Sequence, residues 1–151
     1  SPLAARDPNE TDEDREAAQA GQDRPILTAI DHVGIAVRDL PAALDTYRDA
    51  FGAVVEFREE LPDDGVEVAL LKVGESFVQL LLAVAAFLDE RGEGVHHVAY
   101  RVDDVAAALA QLTEAGLEPI DEEPRAGSRD TSIAFVHPGG TQGTLILLVE
   151  G

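Results

Sequence analysis

The segment IDHVGIAVRDLPAALDTYRDAFG at residues 30–52 returns in altered form as VHHVAYRVDDVAAALAQLTEAG at residues 95–116. The two copies align at a constant offset of 65 residues, which places His97 on His32. Each copy begins with the alternating apolar residues of a strand and continues with the spacing of an amphipathic helix. A repeat of this kind indicates that the chain contains the same structural unit twice.

Three strand-like runs follow each copy of the repeat. They lie at residues 53–61, 66–73 and 76–83 in the first half, and near residues 117–123, 131–138 and 143–150 in the second. Both halves therefore read as strand, helix and three strands. The expected fold class is α+β, with two tandem βαβββ modules that form a cup-shaped mixed sheet with the helices on its outside.

The composition of the chain changes near its start, which suggests a domain boundary. Residues 1–25 are polar and acidic and hold almost no large apolar side chain, so we expect a disordered tail. The domain would then span residues 26–151. We place module one at about 26–82, a linking helix at about 84–91 and module two at about 94–150.

The charge and the absence of cysteine restrict the kinds of partner. The 151 residues carry a formal net charge of −19 and include no cysteine. A strongly acidic surface repels nucleic acid and anionic lipid, so we expect neither nucleic acid nor a membrane as a partner. The lack of cysteine excludes disulfides and thiolate ligands and suits a cytoplasmic protein. We expect a small-molecule substrate.

Two histidines occupy equivalent positions in the repeat. Alternate residues of a strand share a face, so His32 points away from Val33 and His97 away from Val98. The valines are expected to pack under the helices, which leaves both histidines on the other face. Two modules related by a pseudo-twofold axis should bring these histidines together inside the cup.

Gln79 is a polar residue inside the apolar run SFVQLLL. A buried amide requires a partner, so Gln79 is either hydrogen-bonded or a ligand. With His32 and His97, its oxygen could bind a divalent metal such as Co²⁺, Mn²⁺, Ni²⁺ or Zn²⁺. The matching position in module two is Leu147, which supplies no fourth ligand and would contact a substrate as an apolar surface.

Three further polar residues have a structural as well as a functional interpretation. Arg101 shares the face of His97 and could hold a substrate carboxylate, although a salt bridge to one of the many acids is an alternative. His96 falls on the opposite face of its strand, and His137 precedes Pro138 in a turn. We expect both of these histidines to be structural.

Several motifs together point to a known family. They are IDHVGIAVRDL, the turn Asp64-Gly65-Val66, RGEGVHHVAYRVDDV, DEEPRAGS and IAFVHP, within about residues 26–150. In this combination the chain resembles the methylmalonyl-CoA epimerase branch of the vicinal-oxygen-chelate superfamily, which also contains glyoxalases and bleomycin-resistance proteins. The resemblance implies that superfamily's fold, a homodimer, and acyl-CoA as a kind of substrate.

The same resemblance implies an isomerase of the racemase and epimerase class. Such an enzyme inverts the carbon alpha to a small acyl thioester through an enolate that a divalent metal stabilises. Residue by residue, His32, Gln79 and His97 match three of the family's metal ligands. The fourth ligand of the family, a Glu on the last strand, is Leu147 in this chain.

Other departures leave alternatives open. Val68 stands where some members carry a proton-shuttling Glu, and the loop after the fourth strand is short. One alternative is a metal-free enzyme of the same fold, a cyclase or isomerase of a biosynthetic pathway, with His32 and His97 catalytic in an apolar pocket. Another is a small-molecule binding or resistance protein, although aromatic residues for its walls make up only 5% of the chain.

Overall fold

The computed structural model describes residues 25–61, 66–82 and 85–151. The predicted tail lies outside the described residues except for its last residue, Pro25. The elements, in chain order, are β1 (Ala29–Ala36), α1 (Leu40–Phe51), β2 (Val55–Leu61), β3 (Val66–Val73), β4 (Ser76–Leu82), α2 (Ala85–Arg91), β5 (Gly94–Arg101), α3 (Val105–Glu114), β6 (Arg125–Ala126), β7 (Ser132–Val136) and β8 (Ile146–Glu150).

The eight strands form one mixed sheet in the order β2-β3-β4-β1-β5-β8-β7-β6. The first strands of the two modules, β1 and β5, pair antiparallel at its centre. On one side β4 pairs parallel with β1, and on the other side β8 pairs parallel with β5. The sheet therefore repeats the same pairing pattern on either side of its midline, and the predicted α+β fold class is confirmed.

Both main helices begin at an aspartate. The side chain of Asp39 accepts a hydrogen bond from the backbone N–H of Ala42, and Asp104 accepts one from Ala107, both at 3.0 Å. These bonds satisfy backbone donors that have no partner within the helix. Gly52 ends α1 in the left-handed conformation, at φ 66°. None of the helices in the described ranges is long and apolar enough to cross a bilayer.

Each of the two main helices, α1 and α3, covers the outer face of its own module. Leu40 of α1 packs in one buried cluster with Ala69, Leu71 and Leu80 of the neighbouring strands. In the second module, Val105, Ala108 and Leu109 of α3 pack in an equivalent cluster with Ala134 and Leu148. Because strand residues alternate between faces, the residues beside these point to the inner face of the sheet. The helices thus leave the inner face free for a site.

One strand predicted near residues 117–123 is not formed as expected. This segment contributes a single bridge, between Pro119 and Val136, and the short edge strand β6 lies further along the chain. Proline has no N–H to donate to a ladder. The side chain of Asp121 accepts a hydrogen bond from the backbone N–H of Phe135 at 2.8 Å, in place of a backbone carbonyl. The segment therefore runs beside β7 without forming a regular strand.

Candidate active site

A cavity of about 230 Å³ lies on the inner face of the sheet. Both modules contribute to it, through the strands at the centre and the segment before β7. Its lining residues are His32, Val66, Gln79, Leu81, His96, His97, Ser128, Arg129, Thr131, Ile133, Phe135, Leu147 and Val149. Most of this surface is apolar with a smaller polar part, which is typical of a small-molecule site.

His32 and His97 meet in this cavity, as their equivalent positions predict. Their Nε2 atoms lie 3.0 Å apart, and the side chains are only 2% and 3% exposed. Gly34 makes this approach possible, because a Cβ atom there would lie 2.3 Å from Cε1 of His97. The ring of His97 therefore occupies the space that a side chain at position 34 would fill.

The carboxylate of Asp31 orients His32. Its Oδ2 atom lies 2.7 Å from Nδ1 of His32, and it also binds the guanidinium groups of Arg101 and Arg129. Burial alone raises the pKa of Asp31, but hydrogen bonds from His32 and Arg101 and the charge of Arg129 hold it well below its ordinary value. An ionised Asp31 fixes the proton of His32 on Nδ1 and leaves Nε2 facing the cavity.

His96 also faces the cavity, contrary to its predicted place on the opposite face. The strand β5 is irregular at this point: His97 pairs with Gly34 and Val95 pairs with Ile35, so His96 has no partner in the register. A bulge of this kind turns an extra side chain toward its neighbour's face. The Nδ1 atoms of His96 and His97 lie 2.9 Å apart, and both side chains line the cavity.

The same irregularity occurs in module one. Ile30 pairs with Tyr100 and His32 pairs with Ala99, so Asp31 has no partner in the register. Asp31 and His96 stand at equivalent positions of the repeat, 65 residues apart. Each histidine of the pair thus contacts the residue that precedes it, a carboxylate in module one and an imidazole in module two.

The surroundings of both histidines of module two favour the neutral imidazole. Burial lowers the pKa of His97 well below its ordinary value, and the nearby positive charges that His32 and His96 could carry lower it further. Burial also lowers the pKa of His96. A neutral imidazole can donate a lone pair to a metal or accept a proton from a substrate.

Gln79 contributes an unsatisfied acceptor to the same cavity. Its side chain is 4% exposed, and among the described residues its Oε1 atom has no hydrogen-bond partner. The strand register places Gln79 and Leu147 at equivalent positions of the two modules. Gln79 pairs with Gly34, and Leu147 pairs with Ala99, which is the repeat equivalent of Gly34. A buried oxygen without a hydrogen-bond partner is energetically costly unless a ligand or ion supplies the missing contact.

These three donors fit a divalent metal. Metal–imidazole bonds measure about 2.1 Å, and two such bonds at a right angle would separate their nitrogens by about 3.0 Å. The two Nε2 atoms have this separation, and the unpartnered oxygen of Gln79 lies in the same lining. The described residues include no group of three or more His, Cys, Asp or Glu that could hold a metal. A metal would therefore depend on the amide of Gln79.

The sequence profile of the glyoxalase, bleomycin-resistance protein and dioxygenase superfamily matches residues 31–135. The chain belongs to this superfamily.

Within the superfamily, the chain is similar to methylmalonyl-CoA epimerases. An ethylmalonyl-CoA/methylmalonyl-CoA epimerase of Cereibacter sphaeroides is 35% identical over 133 residues, which are 83% of this chain and 99% of the relative. A solved structure of a methylmalonyl-CoA epimerase in complex with methylmalonyl-CoA and NH4+ is 39% identical, with a TM-score of 0.80 over 83% of this chain and 95% of that one. The Mycobacterium tuberculosis methylmalonyl-CoA epimerase is 37% identical, with a TM-score of 0.80 over 88% and 94%. The predicted resemblance is confirmed, and these names agree with the predicted epimerase class.

The superfamily site in this chain has no carboxylate on its lining within the described residues. Leu147 lies at the position of the expected last-strand Glu, and Val68, at the position of the shuttling Glu, is fully buried. Nearby acids do not replace them. Glu150 accepts a hydrogen bond from the backbone N–H of Val105 at the start of α3, and Glu67 pairs with Arg58 on the edge of the sheet.

The arginine that lines the cavity is Arg129 and not the predicted Arg101. Arg101 is not among the lining residues; its guanidinium binds Asp31 and donates to the backbone carbonyl of Glu75. Its role in substrate binding stays a prediction, and the salt bridge that was the alternative is formed. Arg129 does line the cavity, and no periodicity in the sequence signals it, because it lies in a turn between strands.

His137 has the structural place predicted for it. Its Nδ1 atom accepts a hydrogen bond from the backbone N–H of Gly139 at 3.0 Å, which closes the turn at Pro138–Gly140. It is not among the residues that line the cavity.

Proposed function

We propose that this protein is an isomerase of the epimerase class that inverts the carbon alpha to a small acyl thioester. One observation carries the proposal: the Nε2 atoms of His32 and His97 converge in a buried cavity that also holds the unpartnered oxygen of Gln79. The relatives named for methylmalonyl-CoA epimerisation support the choice of a branched acyl-CoA substrate. A cavity of about 230 Å³ holds a small acyl group and leaves the nucleotide of CoA outside.

In this proposal His32, Gln79 and His97 hold a divalent metal such as Co²⁺, Mn²⁺, Ni²⁺ or Zn²⁺. When bound, the metal supplies a positive charge that stabilises negative charge developing on the substrate's oxygen atoms. Asp31 holds the imidazole of His32 in one orientation and one tautomer. His96 has the corresponding place beside His97.

The chain's own residues provide the rest of the site's chemistry. Leu147, Ile133 and Val149 exclude water from the acyl group and lower the local dielectric constant, which strengthens every charge interaction in the cavity. Removal of the proton from the alpha carbon needs an acceptor on the wall of the cavity. His96 lines the cavity and is not required as a ligand, and burial lowers its pKa, so we assign it as the acceptor of the alpha proton on one face. Inversion requires that a proton return to the opposite face, from water or from another group.

Isotope exchange together with metal content tests this proposal. The purified protein is dialysed without chelator, its metal is measured by elemental analysis, and methylmalonyl-CoA is incubated with it in D₂O. We expect about one divalent ion per chain, or binding of added Co²⁺, and exchange of the alpha proton seen by NMR. Absence of both metal binding and exchange would overturn the proposal. A His137→Ala variant serves as the control for a histidine outside the cavity.

A second candidate function is a metal-free enzyme of the same fold, a cyclase or an isomerase. The observation that favours it is that His32 and His97 already satisfy each other at 3.0 Å above an apolar surface that includes Leu147. In that case these two histidines would be catalytic. Exchange that persists in excess chelator, with no metal in the protein, supports this candidate over the first.

The assembly proposed from the family is a homodimer in the cytoplasm. Light scattering coupled to gel filtration measures the mass of the assembly, and so its number of chains, directly. A mass near twice the 16.0 kDa of one chain supports the dimer, and a mass of one chain contradicts it.

A further inference from the structure

Asp31 lies at a point of β1 that the strand ladder does not fix. The pairing of β1 with β5 passes from Ile30 to His32, so Asp31 is the residue of the bulge. The direction of a side chain at a bulge depends on the contacts that this side chain makes itself. Asp31 is only 2% exposed, and its contacts are with protein groups. These groups therefore decide where its carboxylate stands beside His32.

Arg101 holds one oxygen atom of this carboxylate. Its Nε atom donates to Oδ1 of Asp31 at 2.9 Å. The other oxygen, Oδ2, lies 2.7 Å from Nδ1 of His32 and accepts from Nη2 of Arg129 at 2.6 Å. A carboxylate that is held at both oxygens cannot rotate without losing a charge-assisted hydrogen bond. Arg101 therefore fixes the plane of the group that orients the ring of His32.

Arg101 is itself anchored to the strands around the bulge. Its Nη2 atom donates to the backbone carbonyl of Glu75, in the turn between β3 and β4, at 2.8 Å. Its backbone carbonyl accepts from the N–H and the hydroxyl of Thr28 at 2.9 and 3.1 Å. The hydroxyl of Ser76 joins the same turn to the carbonyl of Ile30 at 2.8 Å. The planar guanidinium thus connects the turn to the bulge in one fixed geometry.

The position of the carboxylate can be separated from its charge, because two arginines bind it. Asp31 keeps the cation of Arg129 when Arg101 is replaced, so its buried charge does not become uncompensated. The side chain of Arg101 is 39% exposed, and it is not among the residues that line the cavity. Replacing Arg101 should therefore alter the orientation of Asp31 while the chain stays folded and the cavity surface stays the same.

We propose that Arg101 is a positioning residue that acts through Asp31 on His32. It holds the imidazole so that its Nε2 atom faces Nε2 of His97 across the cavity. This inference rests on the proposed function, in which both Nε2 atoms are metal ligands. Replacing a group that orients a metal-binding histidine typically weakens metal binding about 10- to 100-fold. Arg101 acts one residue further from the metal than Asp31, so the expected effect is at the lower end of this range.

Two measurements on Arg101→Gln, one without metal and one with it, test the inference. In the metal-free protein labelled with ¹⁵N, NMR detects the Nδ1–H proton of His32, which His32→Gln assigns. We expect a slowly exchanging signal in the wild type and a broadened or lost signal in Arg101→Gln. Titration with Co²⁺ followed by absorption should show about ten-fold weaker binding in Arg101→Gln. Arg101→Lys, which can still donate to Oδ1 of Asp31, should restore part of both properties.

Arg58→Gln is the matched control. Arg58 is also a half-exposed arginine of a strand that binds a carboxylate, that of Glu67, and neither residue is among those that line the cavity. This variant should keep the His32 signal and the Co²⁺ affinity of the wild type, and thermal melts show that all variants are folded. Equal losses in Arg58→Gln would overturn the inference.

Four other outcomes would also overturn it: no slowly exchanging His32 signal in the wild type, an unchanged signal in Arg101→Gln, an unchanged Co²⁺ affinity in Arg101→Gln, or no restoration by lysine. Weaker binding of methylmalonyl-CoA by Arg101→Gln, with the signal and the Co²⁺ affinity unchanged, would assign Arg101 to substrate binding instead. Failure of the wild type to bind Co²⁺ would count against the proposed function alone. The His32 signal is measured without metal and would still decide whether Arg101 positions His32.

Discussion

The two modules share one backbone arrangement and differ in the residues that line the cavity or contact its histidines. Gln79 in the first module is Leu147 in the second, and Asp31 in the first is His96 in the second. The pairing of the strands is nevertheless the same on both sides of the sheet. The comparison teaches that the repeat fixes where side chains meet, whereas single substitutions decide which chemistry they can perform.

The two cavity histidines show this most clearly. His32 is oriented by a charged carboxylate that two arginines also bind, whereas His97 is oriented by a neutral imidazole. A carboxylate holds a partner's proton more strongly than an imidazole does. Module one is therefore the half in which a charged group fixes the histidine, whereas in module two burial lowers the pKa of both histidines in contact.

The largest effect is expected for His97→Ala. This change removes one of the two imidazoles that converge in the cavity and leaves a hole beside Gly34. We expect the affinity for Co²⁺ to fall at least about 100-fold and deuterium exchange to be lost. Titration with Co²⁺ followed by absorption measures the affinity. His137→Ala, outside the cavity, should bind Co²⁺ as the wild type does, and equal losses in both variants would contradict the assignment.

Gly34→Ala tests how closely the modules fit. The added methyl would lie 2.3 Å from the ring of His97, so the ring must move. We expect the free energy of unfolding to fall by about 2 kcal/mol, because overpacking a buried site costs about 1 to 3 kcal/mol. Urea unfolding measures it. The mirrored change Ala99→Gly should cost about 1 kcal/mol, mainly through backbone entropy. Equal losses of unfolding free energy in the two variants would show that the difference between Gly34 and Ala99 is unimportant for how closely the modules fit.

Leu147→Glu makes module two resemble the family pattern. A fourth oxygen ligand at the cavity surface should tighten Co²⁺ binding by about ten-fold, because a carboxylate adds both charge and a coordination bond. Without metal the buried charge should lower the thermal midpoint. Calorimetric titration compares this variant with Leu147→Gln, which offers an oxygen without the charge. Unchanged affinity in both variants would show that position 147 does not reach the metal.

The smallest effect concerns pH. The pKa of His97 in the folded chain lies well below its ordinary value, so the unfolded chain binds more protons as the pH falls below about 6.5. This contribution to stability is therefore present above about pH 6.5 and is lost on acidification. We expect the free energy of unfolding to drop by about 1 kcal/mol between pH 7.5 and pH 5.5.

Urea unfolding of the metal-free protein at the two pH values measures this drop. Asp31 does not interfere, because its pKa is also lowered, and its contribution is lost only below about pH 4, the ordinary value of an aspartate. His97→Gln should show a smaller drop than the wild type. A stability that rises on acidification would contradict the neutral state of His97.

The repeat in the sequence was sufficient to predict the fold and the meeting of His32 with His97. Those predictions rest on the local periodicity of strands and helices and on the offset between the two copies. The inward turn of His96 could not be predicted, because a bulge depends on how β5 pairs with β1 and not on β5 alone. Arg129 was missed for a similar reason, since only the folded chain brings its turn to Asp31.

The paired bulges also bear on protein design. A regular strand directs one side chain in every two residues to a given face, whereas at the bulges of β1 and β5 two successive side chains contact each other, Asp31 with His32 and His96 with His97. An engineer who wished to install a new reaction in this scaffold would therefore have four adjoining positions on two central strands to vary. All four are held by the interior of the sheet and do not depend on loop conformation.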